Sequence, residues 1–188
     1  MPKFMSRPVA VLSAVAFGAL ALSATVVAPV RAQEKTVMVG GAAMFPSKNI
    51  IQNAVHSKDH TTLVAAVKAA GLVDTLEGKG PFTAFAPTNT AFGKLPTGTV
   101  DNLIKPENKA TLTKILTYHV VPGKLEASDL ADGKKLRTVE GEELTVKKAD
   151  GKVMIVDAKG GAATVTVPNV NQSNGVIHVV DTVLMPAS

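Results

Sequence analysis

The sequence predicts a single α+β domain behind an N-terminal targeting segment. Apolar residues with helical spacing dominate residues 47–116, whereas short alternating runs separated by glycine turns dominate the chain after Pro122-Gly123. Strands and helices do not alternate along the chain, so we do not expect a parallel sheet of strand–helix–strand units. The length of 188 residues leaves room for one domain with a sizeable core.

Start and stop signals predict two helices early in the domain. Ser47 is a candidate N-cap for a helix that runs to Val55, and Asp59 is a candidate N-cap for the next helix. The second helix carries an apolar stripe and ends at Gly71, which can adopt the left-handed conformation of a helix terminus. The stripe consists of Leu63, Val64, Val67 and Ala70.

A strand and three further helices follow. Residues 82–86 alternate and predict a strand, which Pro87-Thr88-Asn89 ends while opening a short helix that carries Phe92. Residues 99–104 and 106–116 predict two more helices, because Pro106 suits a first helical turn and Glu107 suits its positive end.

The rest of the domain consists of predicted strands. Asp150-Gly151 and Gly160-Gly161 separate β-type runs and predict hairpin turns. The last run is the most apolar. The predicted strands span residues 136–139, 143–148, 153–157, 163–167 and 176–184.

The first 32 residues predict a signal peptide. Lys3 and Arg7 precede an uncharged run from residue 9 to residue 30, and small residues at 30–32 favour cleavage after Ala32. The run is long enough to span a bilayer if it is retained, but Pro29 and several small polar residues favour cleavage. Either outcome exports the remainder. Residues 33–43 are expected to form a linker, and residues 44–186 the domain.

Composition excludes several classes of function. The chain has no cysteine, no tryptophan and one tyrosine, so disulfides, thiol chemistry and extended aromatic stacking surfaces are absent from it. Three of the 20 basic and none of the 15 acidic residues precede Gln33, which leaves a net charge of +2 on residues 33–188. This charge gives no reason to expect nucleic-acid binding.

The four histidines do not predict a metal site or a catalytic centre. His56 and His60 are four residues apart, yet the cap signal at Asp59 separates them, so we expect exposed loop and cap residues. His119 and His178 lie among apolar neighbours, which is typical of buried hydrogen-bonding side chains. A hydrolase using His119 or His178 is the least favoured alternative, because neither has a nucleophile or carboxylate partner nearby in sequence.

Three stretches together resemble the fasciclin domain family. Residues 82–92 (FTAFAPTNTAF) resemble its first signature block, residues 116–121 (LTYHVV) its Tyr-His segment, and residues 174–181 (NGVIHVVD) its second block. The three occur in the family's order, and the match covers residues 44–186 of what looks like a single-domain bacterial exported protein.

This resemblance implies a fold and a set of structural residues. The fasciclin fold is an α+β wedge or sandwich of two small sheets with several helices packed on one side. Phe85, Phe92, Val176, Ile177 and the neighbouring Val179 are interpreted as core residues, and Pro87, Asn89, Asn174 and Gly175 as turn formers. Phe82, His178 and Asp181 complete the structural motif.

The resemblance also implies two partner-binding segments. In animal relatives, function has been tied to the Tyr-His segment and to an Asp-Ile pair before the second block. These map to Tyr118-His119 and to Asn169-Val170, and we expect both segments, including residues 169–173, to be exposed. A neutral amide replaces the acid at Asn169, so metal-assisted integrin binding is not favoured there.

The leading hypothesis is an exported, non-enzymatic adhesion or interaction module. Its expected partner is a protein or polysaccharide of the cell envelope or matrix, with no cofactor, no metal and no nucleic acid, and the protein is expected to be a monomer. Its location would be secreted or periplasmic, or the membrane if the leader is retained. The alternative is a carrier of a small ligand in an apolar cleft between the helical and strand halves.

Overall fold

The fold is taken from a computed structural model that describes residues 35–187. The predicted signal peptide and its cleavage point lie outside the described residues. Among the described residues, the helices all lie before residue 120, as the sequence predicts. The helices are α1 (Ile50–Ala54), α2 (Thr61–Ala70), α3 (Val73–Glu77), α4 (Asn89–Gly93), α5 (Thr99–Leu103) and α6 (Lys109–Tyr118), with 3₁₀ turns at Lys58–His60 and Pro106–Asn108.

The strands form a hairpin and one larger sheet. The hairpin consists of β1 and β2, and the larger sheet has the order β4-β3-β9-β8-β7-β6-β5. The predicted runs after residue 122 are confirmed as strands with shifted ends. The strands are β1 (Val37–Val39), β2 (Ala42–Met44), β3 (Phe82–Pro87), β4 (Val120–Pro122), β5 (Lys135–Arg137), β6 (Glu143–Ala149), β7 (Lys152–Val156), β8 (Ala162–Gln172) and β9 (Gly175–Val180).

One parallel pair lies at the centre of this otherwise antiparallel sheet. Strand β3 pairs in parallel with β9, from Phe82 opposite Gly175 to Pro87 opposite Val180. The two signature blocks therefore lie side by side, although they are far apart in sequence. Strand β4 pairs with the outer edge of β3, and β8 pairs with the other edge of β9.

Strand β8 divides the larger sheet into two halves. Its pairing with β9 shifts register between Val165 and Val167 and again between Val167 and Val170. Asn169 in this stretch has a φ of 56°. Such irregularities bend a strand and increase its twist. The N-terminal part of β8 pairs with β7 and the C-terminal part with β9, so two small sheets share one strand.

Some of the predicted helix boundaries are wrong. Helix α1 is capped by Asn49, whose side chain and that of Gln52 form a capping box, and not by Ser47. Asp59 lies inside a 3₁₀ turn and does not cap α2. Gly71 is confirmed as the end of α2, with a φ of 73° and its N–H bonded to the carbonyl of Lys68.

One other expectation needs correction, and one helix is not predicted. Residues 37–44 form the β1–β2 hairpin rather than a linker, and Val39 and Met44 belong to the core. Helix α3 follows Gly71 almost at once and has too few residues to show a periodic pattern. The turns at Asp150 and Gly160 are confirmed, and both residues have positive φ.

The core consists of connected clusters on the two faces of the β3–β9 pair. One contains Phe85 and Val180 with apolar residues of β5, β6 and β7. A second contains Ala84 and Ile177 with the hairpin and α1. Helices α2 and α6 pack together in a third. The helices therefore cover one side, as the fold class predicts.

Gly175→Ala tests whether the β3–β9 pair holds the fold together. Gly175 has a φ of 158°, and an added Cβ would overlap the carbonyl oxygen of Phe82. We expect a loss of about 3 kcal/mol in the free energy of unfolding, measured by urea denaturation.

The matched control is Gly93→Ala, at a helical glycine where an added Cβ meets no atom within 4 Å. It should be neutral or slightly stabilising. Equal losses in the two variants would contradict the importance of this pairing.

Candidate functional site

Tyr118 is buried at the end of α6 and is not exposed as expected. Its side chain belongs to the core cluster beneath β5–β7. The hydroxyl donates to the carbonyl of Glu143 at 3.3 Å and accepts from the N–H of Ala158 at 2.9 Å. Burial raises the pKa of Tyr118. Tyr118 therefore joins helix α6 to the strand half of the domain.

His119 is buried as well and fixes the C-terminal segment. Its Nδ1–H donates to the carbonyl of Ile115 at 2.8 Å, and its Nε2 accepts from the N–H of Leu184 at 2.9 Å. This pair of bonds selects one neutral tautomer. Burial lowers the pKa of His119 to about 4. The apolar neighbours of His119 in the sequence predict this burial, whereas the exposure expected for the Tyr118-His119 segment is wrong.

Asn169 is half-buried, whereas its neighbour Val170 is buried. The side-chain oxygen of Asn169 accepts from the N–H of Ala127 at 2.7 Å, and its N–H faces Nδ1 of His178 at 3.4 Å. Val170 is a core residue, only 1% exposed. The expected exposure is therefore wrong for Val170 and also for Gln172, which is buried. Whether either residue contacts a partner stays a prediction.

Three side chains hold the loop of residues 122–129, which we name the clamped loop. The hydroxyl of Thr83 donates to the carbonyl of Gly123 at 2.6 Å and accepts from the N–H of Leu125 at 2.8 Å. His178 donates from Nε2 to the carbonyl of Leu125 at 2.8 Å, and Asn169 holds Ala127. Burial lowers the pKa of His178. Thr83 is not among the site residues predicted from the sequence, although a lone hydroxyl in a buried apolar strand indicates a specific hydrogen bond.

The polar residues of the signature blocks bond to the backbone of distant segments. Asn174 accepts from the N–H of Ile50 at 3.1 Å and donates to the carbonyls of Leu76 and Gly78. Asn174 therefore acts through its side chain. Its neighbour Gly175 is the first residue of β9 rather than a turn residue, and it allows the close approach of the Phe82 carbonyl. Asn89 opens α4 and accepts from the N–H of Thr62 at 3.0 Å.

Asp181 anchors the end of β9. Partial burial alone would raise the pKa of Asp181, but hydrogen bonds from the Thr164 N–H and the Thr182 hydroxyl, together with Lys94, lower it overall. The apolar residues interpreted as core residues are all buried in the structure, and the half-buried Phe82 packs against them. The buried residues are Phe85, Phe92, Val176, Ile177 and Val179.

An apolar cavity lies between the helices and the β3–β9 pair. Helices α1, α2 and α6, the hairpin and strands β3, β8 and β9 all contribute to its lining, and every lining residue except His60 and His119 is apolar. The centres of water-sized molecules can occupy about 50 Å³ of it, and it is partly open. The cavity lies where the small-ligand carrier alternative places its apolar cleft, between the helical and strand halves.

His60 lines this cavity and is 3% exposed, so the expectation of an exposed cap residue is wrong. Its Nδ1 lies 2.9 Å from the hydroxyl of Ser57. Its Nε2 has no hydrogen-bond partner among the described residues. Burial lowers the pKa of His60, and an interaction with the backbone of Ala86 partly opposes this shift.

Metal ligands do not come together in the described part of the chain. Within residues 35–187, no three His, Asp or Glu side chains are placed to hold a metal ion. His56 is exposed after α1, and His60 is buried in the next turn. Nor does any helix in this range have the length and apolar character needed to cross a membrane.

The fold and the two adjacent signature blocks define a class of small α+β domains, and comparison with known proteins identifies the family. The model of the fasciclin domain matches residues 58–186. The chain belongs to the fasciclin family.

Similar proteins agree with this assignment. Protein sll1483 of Synechocystis sp. is 48% identical over 168 residues, which are 89% of this chain and 90% of that protein. The cell surface glycolipoprotein MPB83 of Mycobacterium bovis is 44% identical over 115 residues, 61% of this chain and 48% of that protein. A domain pair of the insect cell adhesion molecule fasciclin I has a similar fold, with a TM-score of 0.66, 20% identity, and coverage of 75% of this chain and 52% of that chain.

The buried His119 predicts a loss of stability in acid. Its pKa is about 4 in the folded protein and 6.5 in the unfolded chain, so the unfolded chain binds the proton first as the pH falls. The contribution of His119 is complete above about pH 6.5 and is lost as the pH falls through 4, which amounts to about 3 kcal/mol. Urea denaturation at several pH values measures it.

The variant His119→Asn has no group that titrates in this interval at position 119. Its free energy of unfolding should therefore decrease less between pH 7 and pH 4, whatever its stability at pH 7. An NMR titration of His119 with a midpoint near 6.5 would contradict the assignment.

Proposed function

We propose that this protein is an exported, non-enzymatic interaction module that binds a protein or polysaccharide of the cell envelope or matrix. The proposal rests on membership of the fasciclin family, which includes a cell surface glycolipoprotein that is 44% identical to this chain over 115 residues. Cleavage of the leader after Ala32 would release a monomeric domain into the periplasm or the medium.

The clamped loop is the proposed contact surface. Tyr118 and His119 are buried, so they would act by shaping the loop that follows β4 rather than by touching a partner. Lys124 and Ser128 are exposed in this loop. Asn169 is half-buried beside it and bonds to Ala127. A loop held in place by a rigid sheet is a common arrangement for recognition, because little conformational entropy is lost on binding.

The histidine geometry supports a non-enzymatic role. A general base needs a ring nitrogen that can reach a substrate proton. Both nitrogens of His119 bond to the backbone, and those of His178 face Leu125 and Asn169. The two histidines considered for a hydrolase are therefore engaged in holding segments of the fold.

Ser128→Trp tests the contact surface. A bulky side chain at this exposed loop position should weaken binding by about tenfold or more, whatever the charge of the partner. Binding of the purified protein to envelope preparations of its own organism is measured by sedimentation. Treating the envelopes with protease or with periodate separates a protein partner from a polysaccharide.

The control is Thr111→Trp, at an exposed position on α6. Since the chain has no tryptophan of its own, each variant also carries a single fluorescent reporter. Equal binding by the two variants would reject the clamped loop as the contact surface, and no binding by the unaltered protein would reject an envelope partner.

The localisation has its own test. Intact-mass measurement of the protein from cell fractions should find a product beginning at Gln33 in the periplasm or the medium. A full-length product in the membrane fraction would instead indicate a tethered module and would contradict cleavage after Ala32.

A further inference from the structure

The outer face of strands β5, β6 and β7 carries lysines that the core does not use. Successive residues of a strand point to opposite faces of the sheet. Leu136 of β5 and Val146 of β6 belong to the core, so their neighbours Lys135 and Lys147 lie on the outer face. Both lysines are exposed. This face is therefore open to a partner, while the opposite face is packed against the domain.

The strand register arranges three of these lysines in a row. Lys135 pairs with Thr145, two residues before Lys147 on β6, and Lys152 of β7 pairs with Ala149, two residues after it. Residues paired across two strands share a face, and diagonal neighbours on that face are about 7–8 Å apart. Lys135, Lys147 and Lys152, which we name the basic row, therefore cross three neighbouring strands over about 15 Å.

The positive charge of the basic row is largely unpaired. Lys135 lies 3.3 Å from Glu143, but both side chains are mostly exposed, and such pairs are weak. Lys147 and Lys152 are exposed and make no ion pair with any residue that the structure describes. Like charges on neighbouring strands repel one another. An anionic chain laid along the row would remove this repulsion.

Protection of a sheet edge does not account for the basic row. Charged side chains often keep an exposed edge strand from pairing with another chain. That purpose suits Lys135, because β5 is the last strand of the sheet. Lys147 lies instead within β6, which pairs with β5 on one side and with β7 on the other. A lysine at this interior position protects no edge.

We infer that the basic row binds a linear acidic polysaccharide, whose successive carboxylates contact the three ammonium groups. A row of separated charges suits a chain with repeating charges better than a small anion, which would reach one lysine only. Met154 and Val156 of the same face are half-buried, so the face offers no large exposed apolar side chain for insertion into lipid. Nor does it offer aromatic rings on which nucleic-acid bases could stack.

This inference rests on the proposed function for the class of partner, because a polysaccharide is one of the two partners proposed, but it uses a different surface. None of the three lysines belongs to the clamped loop. Purified oligosaccharides test the basic row, whereas Ser128→Trp tests the clamped loop with whole envelopes. Either result can therefore be negative while the other is positive.

Calorimetric titration of the full chain, as its host produces it, tests the row with hexamannuronate. The control ligand is β-1,4-linked mannohexaose, which has the same sugar backbone without carboxylates. Hexamannuronate should bind at low salt and more weakly as salt is added, because exposed ion pairs are screened. Mannohexaose should not bind. Equal binding of the two ligands, or no binding of hexamannuronate, would overturn the inference.

Lys147→Glu and Lys148→Glu form a matched pair of variants. They change the net charge equally and at adjacent exposed positions, but Lys148 lies on the opposite face of β6. Lys147→Glu should weaken hexamannuronate binding by about fivefold, and Lys148→Glu by less than about twofold. Lys152→Glu should behave like Lys147→Glu. Equal losses at positions 147 and 148 would show an effect of net charge alone and would reject the row.

A length series tests whether the ligand follows the row. Affinity should increase from the mannuronate monomer to oligomers that span about 15 Å and then level off. A monomer that binds as tightly as the hexamer would reduce the row to a single ion contact and contradict the inference.

Vesicles of equal parts phosphatidylglycerol and phosphatidylcholine test the competing membrane surface. The full chain should bind hexamannuronate in their presence, and Lys147→Glu should leave any vesicle binding unchanged. Vesicle binding that displaces hexamannuronate and is lost in Lys147→Glu would assign the row to a membrane and overturn the inference.

Discussion

The parallel pairing of β3 with β9 is the constraint on which the rest of the structure depends. It brings two segments that are distant in sequence into direct register, with Phe85 opposite His178 and their rings stacked at 5.7 Å. Both faces of the pair are buried: Phe85 contributes to the core under the strand half, and Ala84 to the core under the hairpin and α1. A long-range pair of this kind costs loop-closure entropy before it contributes any packing. It is stable because apolar layers cover it on both sides.

Buried polar side chains secure the irregular segments around this pair. His119 holds the C-terminal segment, His178 holds the clamped loop, and Asn174 holds the start of α1 and the end of α3. Each bonds to backbone groups that belong to no helix or sheet ladder, and such groups are costly when buried without a partner. This explains why residues that resemble recognition sites in the sequence are structural here. Their influence on a partner would pass through the loops whose shape they fix.

The sequence predicts the α+β class, the order of the elements and the apolar core, because periodicity and turn residues are local signals. It predicts the left-handed end of α2 at Gly71 for the same reason. It does not predict the burial of His60, which depends on the distant strands and helices that cover it. The hairpin at residues 37–44 also escapes prediction, since its short strands are stabilised by core contacts and not by a pattern of their own. The sequence therefore locates the candidate site residues along the chain but does not predict which of their side chains are buried.

The cavity follows from the way the helices are attached to the sheet. Helix α1 is fixed at its start by Asn174 and at its end by Asn53, which bonds to Phe45 and to Gln172. These bonds fix the two ends of α1, and the buried Ile50, Ile51 and Ala54 pack along its length. Moving the helix inward to fill the space would break directional bonds to buried groups, at a cost comparable to the gain in packing. The directional bonds at the ends of α1 therefore help to keep the space open.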